Sequence, residues 1–193
     1  MTIWHWVRHG PTHEKSFVGW RDVPADLSDV AQLGRLNAHL PQRAVMVSSD
    51  LIRASATADT LASASRVRLP HDRDLRELDF GLWDGMHARD VSQSHPELSR
   101  AYWTTPGDIA APEGESWNDA ARRINAAVDR ITQAHPNTDI IAVAHFGVIL
   151  TQVQRALGVD AHAAMAHKID NLSVTRLAFD GRRWHAEAIN HIP

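Results

Sequence analysis

An arginine, a histidine and a glycine stand side by side as Arg8, His9 and Gly10, directly after an apolar segment. A guanidinium presents a planar fork of donors that suits the oxygens of a phosphate group, and a neutral imidazole can act as a nucleophile. Gly10 and Pro11 end the preceding segment, whose residues favour a strand. A triplet this short recurs by chance and also fits an ordinary surface corner, so the rest of the chain must decide.

Two further apolar segments end in polar residues. Residues 44–47 lead into Ser48, with Arg53 one helical turn further on, and residues 139–144 lead into His145. If these strands are parallel neighbours, their carboxyl ends meet at one sheet edge, where open α/β sheets bind ligands. The helices that follow point their N-termini at the same edge, and their dipoles favour an anion there. The arrangement predicts a phosphate site built from two arginines and two histidines.

The apolar patterns predict strands that alternate with helices through most of the chain. Continuous apolar runs indicate buried strands, and apolar residues that recur every three or four positions indicate helices. The expected strands are residues 3–7, 44–47, 67–69, 139–144, 172–179 and 184–189, and the expected helices are residues 29–40, 51–65, 88–103, 116–133 and 148–157. This alternation predicts a three-layer α/β/α sandwich with a mostly parallel central sheet and an antiparallel edge strand.

Polar residues stand where three of these helices begin. Ser28 precedes the first helix, Ser49 or Asp50 precedes the second, and Ser116 with Asp119 resembles a capping box at the start of the longest one. Side-chain oxygens at such positions accept hydrogen bonds from the free N–H groups of the first turn. We therefore expect these residues to cap their helices.

The composition limits the classes of protein and partner. A length of 193 residues predicts one domain, residues 1–193. Within it, about residues 85–115 are expected to form a small insertion of helix and loop over the site, and Pro96 is expected to interrupt the helix. The net charge of -3 argues against a nucleic-acid partner. No apolar run approaches the ~20 residues of a membrane span, and no basic leader opens the chain, so a cytoplasmic location is expected. Cysteines are absent and the 13 histidines are scattered, so no metal ligand set is predicted.

The first corner, Arg8-His9-Gly10-x-Thr12, resembles the Arg-His-Gly signature of the histidine phosphatase superfamily, which has the phosphoglycerate mutase-like fold. Other segments, in order along most of the chain, are similar to the family's later motifs. These segments are residues 48–58, 75–85, 114–116 with Arg123, 143–147 and 171–174. The match is specific because it extends well beyond one triplet.

The resemblance implies roles for particular residues. His9 would be the nucleophile that becomes phosphohistidine, and Glu77 would donate a proton to the leaving alcohol. Asp79, two residues further on, is the rival acid. Phosphoryl transfer depends mainly on positioning and charge neutralisation, which this set can supply without a metal ion or another cofactor. The phosphoryl oxygens would be held by Arg8, Arg53 and a cationic His145.

Other residues near these motifs are candidates for phosphate or substrate binding. Thr12 belongs to the signature, and Lys15 stands where many members carry Asn, so it either adds a positive contact or points to solvent. Phe146 replaces a common Gly and would narrow the pocket. Trp20 and Trp83 fit pocket walls and core packing equally well.

The leading prediction for function is a metal-independent phosphatase that acts on a small phosphorylated metabolite. A cofactor-dependent phosphoglycerate mutase is the alternative within the family, although such mutases usually carry larger inserts than the short span from Gly85 to Gly114. A catalytically silent phosphate-binding regulatory module ranks lower, because every core residue is present. The chain is compatible with a homodimer. Sugar phosphates, α-ribazole phosphate, nucleotides and phosphoproteins all remain open as substrates.

Overall fold

Six strands form one twisted sheet in the computed structural model, which describes residues 1–193. They are β1 (Thr2–Arg8), β2 (Ala44–Ser48), β3 (Arg66–Arg68), β4 (Asp139–Ala144), β5 (Val174–Phe179) and β6 (Trp184–His191). Their order across the sheet is β3-β2-β4-β1-β5-β6. The first four are mutually parallel, whereas β5 runs antiparallel to β1 and β6 antiparallel to β5. The predicted mixed sheet with an antiparallel edge pair is confirmed.

Seven helices cover the two faces of this sheet. They are α1 (Val30–His39), α2 (Ile52–Thr60), α3 (Ala88–Ser94), α4 (Pro96–Thr104), α5 (Trp117–Ala134), α6 (Phe146–Leu157) and α7 (Ala161–Met165). Two short 3-10 turns, Arg73–Leu75 and Gly81–Trp83, interrupt the loop between β3 and α3. No helix combines the length and the apolar character that crossing a bilayer requires.

The sheet separates two hydrophobic cores, because successive side chains of a strand point to opposite faces. In β1, Val7 packs into the core beneath α1 and α2, whereas Trp4 and Trp6 pack into the larger core beneath α5 and α6. The two indole rings stack with centroids 4.9 Å apart. Burial on both faces explains why the central strands are almost continuously apolar, and it holds their carboxyl ends in fixed positions.

The capping predictions are confirmed for the longest helix and wrong for the first. Ser116 accepts a hydrogen bond from the Asp119 N–H at 3.1 Å, and the Asp119 carboxylate accepts one from the Ser116 N–H, which completes the capping box. Helix α1 is capped by Asp29, whose carboxylate accepts from the Gln32 N–H at 2.9 Å, and not by Ser28. The helix begins one residue later than predicted.

The start of α2 also differs from the prediction. Asp50 does not cap this helix, because its carboxylate accepts two hydrogen bonds of 2.7 Å from the Arg76 guanidinium. The helix ends at Thr60 and not near residue 65, since the chain must turn before β3 begins at Arg66. Asp50 thereby ties the second strand corner to the loop that carries Glu77.

Two differences concern the C-terminal half. Helix α6 begins at Phe146, directly after His145, and not at Val148. Helix α7 was not predicted from the sequence, since five residues are too few to show a helical period. Asp160 caps α7 by accepting a hydrogen bond from the Ala163 N–H at 2.7 Å.

Candidate active site

The carboxyl ends of β1 and β4 bring two histidines together. Arg8 pairs with Ala144 across these parallel strands, and the His9 N–H donates to the Ala144 carbonyl at 3.1 Å. His9 and His145 therefore leave adjacent strands at the same level. Their ring centroids lie 5.1 Å apart, with the ring planes at 62°.

His9 is held as a neutral imidazole in one tautomer. Its Nδ1 lies 2.7 Å from the carbonyl oxygen of Gly10, which can only accept, so the proton resides on Nδ1. Burial lowers the pKa of His9 to about 3, and the positive charges of Arg53 and Arg8 act in the same direction. Nε2 makes no hydrogen bond within the protein, so its lone pair is free to attack an electrophile.

The backbone around His9 is fixed by two polar side chains. The Gly10 N–H donates to the Thr57 hydroxyl at 3.0 Å, and the Asn171 amide donates to the His9 carbonyl at 2.8 Å. Neither Thr57 nor Asn171 received a role from the sequence, although both lie in segments that resemble the family's motifs. Their presence in those segments was the only signal that pointed to them.

His145 is fully buried, and neither ring nitrogen has a hydrogen-bond partner. Burial, with Arg53 and His9 acting in the same direction, lowers the pKa of His145 well below its ordinary value. The ring is therefore neutral before a substrate binds, in contrast to the cation expected from the sequence. Buried polar groups are normally paired, so these two nitrogens indicate a place for a polar ligand.

Two guanidiniums flank the histidines and are held by backbone carbonyls. Arg53 is 1% exposed and donates to the carbonyls of Gly19 at 2.6 Å and Arg21 at 3.0 Å. Arg8 donates to the Ile169 carbonyl at 2.6 Å, while its buried Nε has no partner. Carbonyl partners orient a guanidinium without neutralising it. Arginine stays protonated in proteins, so two positive charges remain for an anion.

Glu77 reaches the same place from the loop after β3. Its carboxylate accepts hydrogen bonds from the Leu78 N–H at 2.9 Å and from the Gly147 N–H, in the first turn of α6, at 3.0 Å. Burial raises the pKa of Glu77, while those two N–H groups and the guanidiniums of Arg53 and Arg8 act in the opposite direction. A raised pKa favours the protonated form that a proton donor requires.

Gly147 is required for this contact. A Cβ atom at this position would lie 2.4 Å from Glu77 Oε1 and 2.2 Å from Leu78 Cδ1. Only glycine lets the first turn of α6 approach the carboxyl group so closely. The identity of residue 147 thus follows from the position of Glu77.

The loop that carries Glu77 is tied down by Arg123 of α5. Its guanidinium forms a bidentate ion pair with the Glu115 carboxylate, in which both hydrogen bonds are 2.8 Å long. It also donates to the loop carbonyls of Asp74 and Arg76 at 2.8 and 3.1 Å. The sequence matched Arg123 to a motif without assigning it a function. Its guanidinium thus joins the Glu115 carboxylate to three carbonyls of the loop, the third being that of Glu77 at 3.3 Å, and this makes Arg123 a positioning residue.

The rival acid, Asp79, is engaged elsewhere. Its carboxylate accepts a hydrogen bond from the Gly81 N–H at 2.9 Å within the same loop. Its own backbone N–H donates to Glu115 at 3.1 Å. Glu77, and not Asp79, lies against the first turn of α6, beside His145.

The predicted pocket residues occupy different environments. Phe146 lies beside the site, with the Arg8 guanidinium carbon 5.3 Å from its ring centroid. Trp20 donates from its indole N–H to the Glu77 carbonyl at 2.7 Å, so it supports the loop. Trp83 is fully buried against Tyr102 in the core, so of its two expected places the structure shows core packing and not a pocket wall. Lys15 is exposed, and Thr12 is half-buried beside the signature.

An apolar cavity lies next to Glu77, which contributes to its lining. It lies between α4, the loop after α4, and the first turns of α5 and α6, with Tyr102, Trp103, Ile109 and Phe146 among its walls.

No set of three or more His, Asp or Glu side chains in the chain is arranged to hold a metal ion.

This sheet, with two imidazoles and two guanidiniums at its carboxyl edge, defines a phosphate-handling α/β protein. The chain belongs to the histidine phosphatase superfamily: the family model described as "Histidine phosphatase superfamily (branch 1)" matches residues 5–192. The resemblance drawn from the ordered motifs is confirmed.

Curated relatives are similar over most of this chain. The "Bifunctional protein Rv2228c" of Mycobacterium tuberculosis is 33% identical over 168 residues, which cover 85% of this chain but only 43% of that protein. The chain thus spans less than half the length of this relative. "Phosphoglycerate mutase-like protein 4" of Arabidopsis thaliana is 34% identical over 188 residues, which cover 92% of this chain and 80% of the relative.

Solved structures share the fold over nearly the whole length. "Bacillus stearothermophilus YhfR" superimposes with a TM-score of 0.90 at 24% identity, covering 100% of this chain and 98% of that one. The mycobacterial "glucosyl-3-phosphoglycerate phosphatase Rv2419c", solved with VO3, superimposes with a TM-score of 0.85 at 26% identity, covering 98% of both chains.

Proposed function

We propose that the protein is a metal-independent phosphomonoesterase that hydrolyses small phosphate esters through a phosphohistidine at His9. The observation that carries this proposal is the neutral His9 ring, held by Gly10 with Nε2 free, next to a buried His145 whose nitrogens have no partner. Such an arrangement suits nucleophilic attack on an anionic group held by the surrounding donors.

The first half of the reaction forms a covalent intermediate. Nε2 of His9 attacks phosphorus, the bond between phosphorus and the ester oxygen breaks, and the departing oxygen takes the proton of Glu77. Arg8 and Arg53 offset the charge on the phosphoryl oxygens. His145, neutral beforehand, donates one hydrogen bond, and the negative phosphoryl group raises its pKa from the depressed value.

The second half releases inorganic phosphate. Glu77, now a carboxylate, takes a proton from a water molecule, whose oxygen attacks phosphorus as the bond to Nε2 breaks. His9 and protonated Glu77 are both restored, so atoms and protons balance over the cycle. The raised pKa of Glu77 is the property that lets one carboxyl group act first as acid and then as base.

Trapping the intermediate tests the nucleophile. After brief reaction with a phosphate ester labelled with ³²P, acid-labile and base-stable label should appear on the wild-type protein and be absent from His9→Ala. That variant should also lose roughly 10³-fold or more in turnover, because the covalent route is removed. His162→Ala, which changes an exposed histidine of α7, should keep both label and turnover. Near-normal turnover in His9→Ala would exclude this mechanism.

Leaving-group dependence tests Glu77. Glu77→Gln should slow the first half-reaction, measured as the pre-steady-state burst of released alcohol, by roughly 10²–10⁴-fold for alkyl esters and far less for aryl esters, because a phenolate departs without a proton. In wild type, kcat for alkyl esters should fall as pH rises through the raised pKa of Glu77, and this alkaline limb should vanish in the variant. Equal losses for both ester types would show that Glu77 is not the proton donor.

Phosphoglycerate isomerisation is the alternative suggested by the printed names of some relatives, such as "Probable phosphoglycerate mutase GpmB" of Shigella boydii, 27% identical over 185 residues. We rank it second because this chain has only a short span from Gly85 to Gly114, where such mutases usually carry larger inserts. Conversion of 3-phosphoglycerate to its isomer, faster than release of inorganic phosphate, would reverse this ranking.

A further inference from the structure

Arg53 takes its orientation from residues 19–22, a short stretch outside the helices and strands that we call the Arg53-holding segment. In this segment the carbonyls of Gly19 and Arg21 accept hydrogen bonds of 2.6 and 3.0 Å from the guanidinium. Asp22, its last residue, caps α2 by accepting a hydrogen bond of 2.7 Å from the first N–H of that helix. The segment therefore fixes both the guanidinium and the start of the helix that carries it.

The same segment also contacts the loop that carries Glu77. The indole N–H of Trp20 donates to the Glu77 carbonyl at 2.7 Å. At the preceding residue the two backbones come so close that a Cβ atom on Gly19 would lie 2.7 Å from the Leu78 carbonyl oxygen. Glycine permits this approach because it has no Cβ. One segment thus contacts both the guanidinium of Arg53 and the backbone of the acid.

The carboxylate of Asp84 anchors this segment. It accepts hydrogen bonds from the Gly19 N–H at 3.1 Å and the Arg21 N–H at 2.8 Å, and the Arg21 guanidinium adds a longer contact of 3.7 Å. Gly19 and Arg21 are the two residues whose carbonyls receive Arg53. The Asp84 side chain is 14% exposed, and hydrogen bonds to an ionised acceptor are roughly twice as strong as neutral ones. Since Asp84 lies in the same loop as Glu77, one loop carries the acid and also anchors the residues that hold the arginine.

We propose that Asp84 is a positioning residue for phosphoryl transfer, which sets Arg53 and Glu77 together through the Arg53-holding segment. The inference rests on the proposed function, in which Arg53 binds the phosphoryl group and Glu77 protonates the departing oxygen. The hydrogen bonds of Asp84 go to the N–H groups of Gly19 and Arg21 and to neither of those side chains, so its effect passes through the backbone. A catalytic group displaced by about 1 Å can lose roughly 10²-fold in rate, so loss of the anchor should be measurable in the kinetics.

Asp84→Ala tests the anchor by pre-steady-state kinetics. The rate constant for the burst of released alcohol should fall roughly 10²-fold for aryl esters, because Arg53 acts on the phosphoryl group whatever the leaving group, and further for alkyl esters, which also need the proton donor. Asp180→Ala is the matched control, since that carboxylate likewise accepts two backbone N–H groups, at 2.7 and 2.8 Å, in the turn between β5 and β6. It should keep the wild-type rate constants. A merely less stable protein would lose burst amplitude, so an unchanged rate constant in Asp84→Ala would overturn the proposal.

A double-mutant cycle shows whether the effect of Asp84 passes through Arg53. With an aryl ester, adding Asp84→Ala to Arg53→Ala should slow the burst by less than about threefold, because the group that Asp84 positions is already absent. Equal losses from Asp84→Ala with and without the Arg53 side chain would overturn the proposal.

Trp20→Phe tests the connection from the segment to Glu77. This variant removes the indole N–H and keeps an aromatic ring, and it should slow the burst with alkyl esters by roughly five- to tenfold, the effect of one hydrogen bond, with aryl esters unchanged. The control is Trp184→Phe, at a tryptophan whose indole N–H has no hydrogen-bond partner, and it should change neither. Equal slowing of both ester types in Trp20→Phe would overturn this connection.

Binding of inorganic phosphate, measured by isothermal titration calorimetry, separates this inference from the proposed function. Asp84→Ala should weaken phosphate binding roughly tenfold, as expected when one charge-assisted contact is misaligned, whereas Asp180→Ala should bind like wild type. That weakening, with no turnover of any ester by wild type, would overturn the proposed function and support the anchoring of Arg53. Turnover by wild type, with burst rate constants and phosphate affinity unchanged in Asp84→Ala, would support the function and overturn the inference.

Discussion

Acidification is expected to destabilise the fold through His9 in particular. The folded protein holds this imidazole at a pKa of about 3, whereas an unfolded chain leaves it near 6.5. The unfolded state therefore binds the proton first, and stability is lost as the pH falls below 6.5. At pH 5 the gap is about 1.5 pH units, and at 1.36 kcal/mol per unit the loss from His9 is about 2 kcal/mol relative to pH 7.

Urea unfolding at both pH values, for wild type and His9→Gln, measures this term. The loss of unfolding free energy between pH 7 and pH 5 should be about 2 kcal/mol smaller in the variant, because glutamine takes up no proton. The lowered pKa of His145 also makes the fold less stable as the pH falls. Both wild type and His9→Gln contain His145, so this loss is present in both proteins. His162→Gln, at an exposed position, should keep the full wild-type loss. The same loss in wild type and His9→Gln would refute the reasoning.

Two further substitutions test how the acid loop is positioned. Gly147→Ala should slow the pre-steady-state release of alcohol from alkyl esters by roughly 10²-fold or more, because its Cβ would lie 2.4 Å from Glu77 Oε1 and a displacement of about 1 Å is that costly. The burst with an aryl ester, which needs no proton from Glu77, should be less affected and is the comparison. Arg123→Ala should lower the unfolding free energy by roughly 2–3 kcal/mol, since it leaves the mostly buried Glu115 carboxylate unpaired. Arg122→Ala removes an exposed pair on the same helix and should cost under about 1 kcal/mol. Equal denaturation midpoints for the two arginine variants would contradict the positioning role.

The strand corners were predictable because the signals for them are local. Apolar runs that stop at Arg8, Ser48 and His145 identify both the strands and the residues that leave them. The juxtaposition of His9 and His145 needed one additional fact, that β1 and β4 are parallel neighbours, and the ordered family motifs supplied it. Local pattern and topology together were therefore sufficient to predict that these residues meet at one sheet edge.

Long-range partners account for what the sequence predicted wrongly or left open. Asp50 has the chemistry of a helix cap, but Arg76, 26 residues away, offers two donors and takes the carboxylate instead. Trp83 fits a pocket wall or a core equally well until α4 places Tyr102 against it. The residues that line the cavity beside Glu77 come from several helices and loops and share no motif, so no sequence pattern predicts the cavity.

The position of β1 in the middle of the sheet governs when the candidate site can form during synthesis. β1, which leads into His9, is translated before the other strands of this sheet, yet both of its neighbours, β4 and β5, follow more than 130 residues later, as residues 139–144 and 174–179. At about 5–20 residues per second, roughly 7–27 seconds separate translation of Arg8 from that of Ala144. During that interval Trp4 and Trp6 have no sheet to join. The nascent chain therefore carries His9 next to an unpaired, tryptophan-rich segment, and the candidate site is assembled only once β4 and β5 pair with β1.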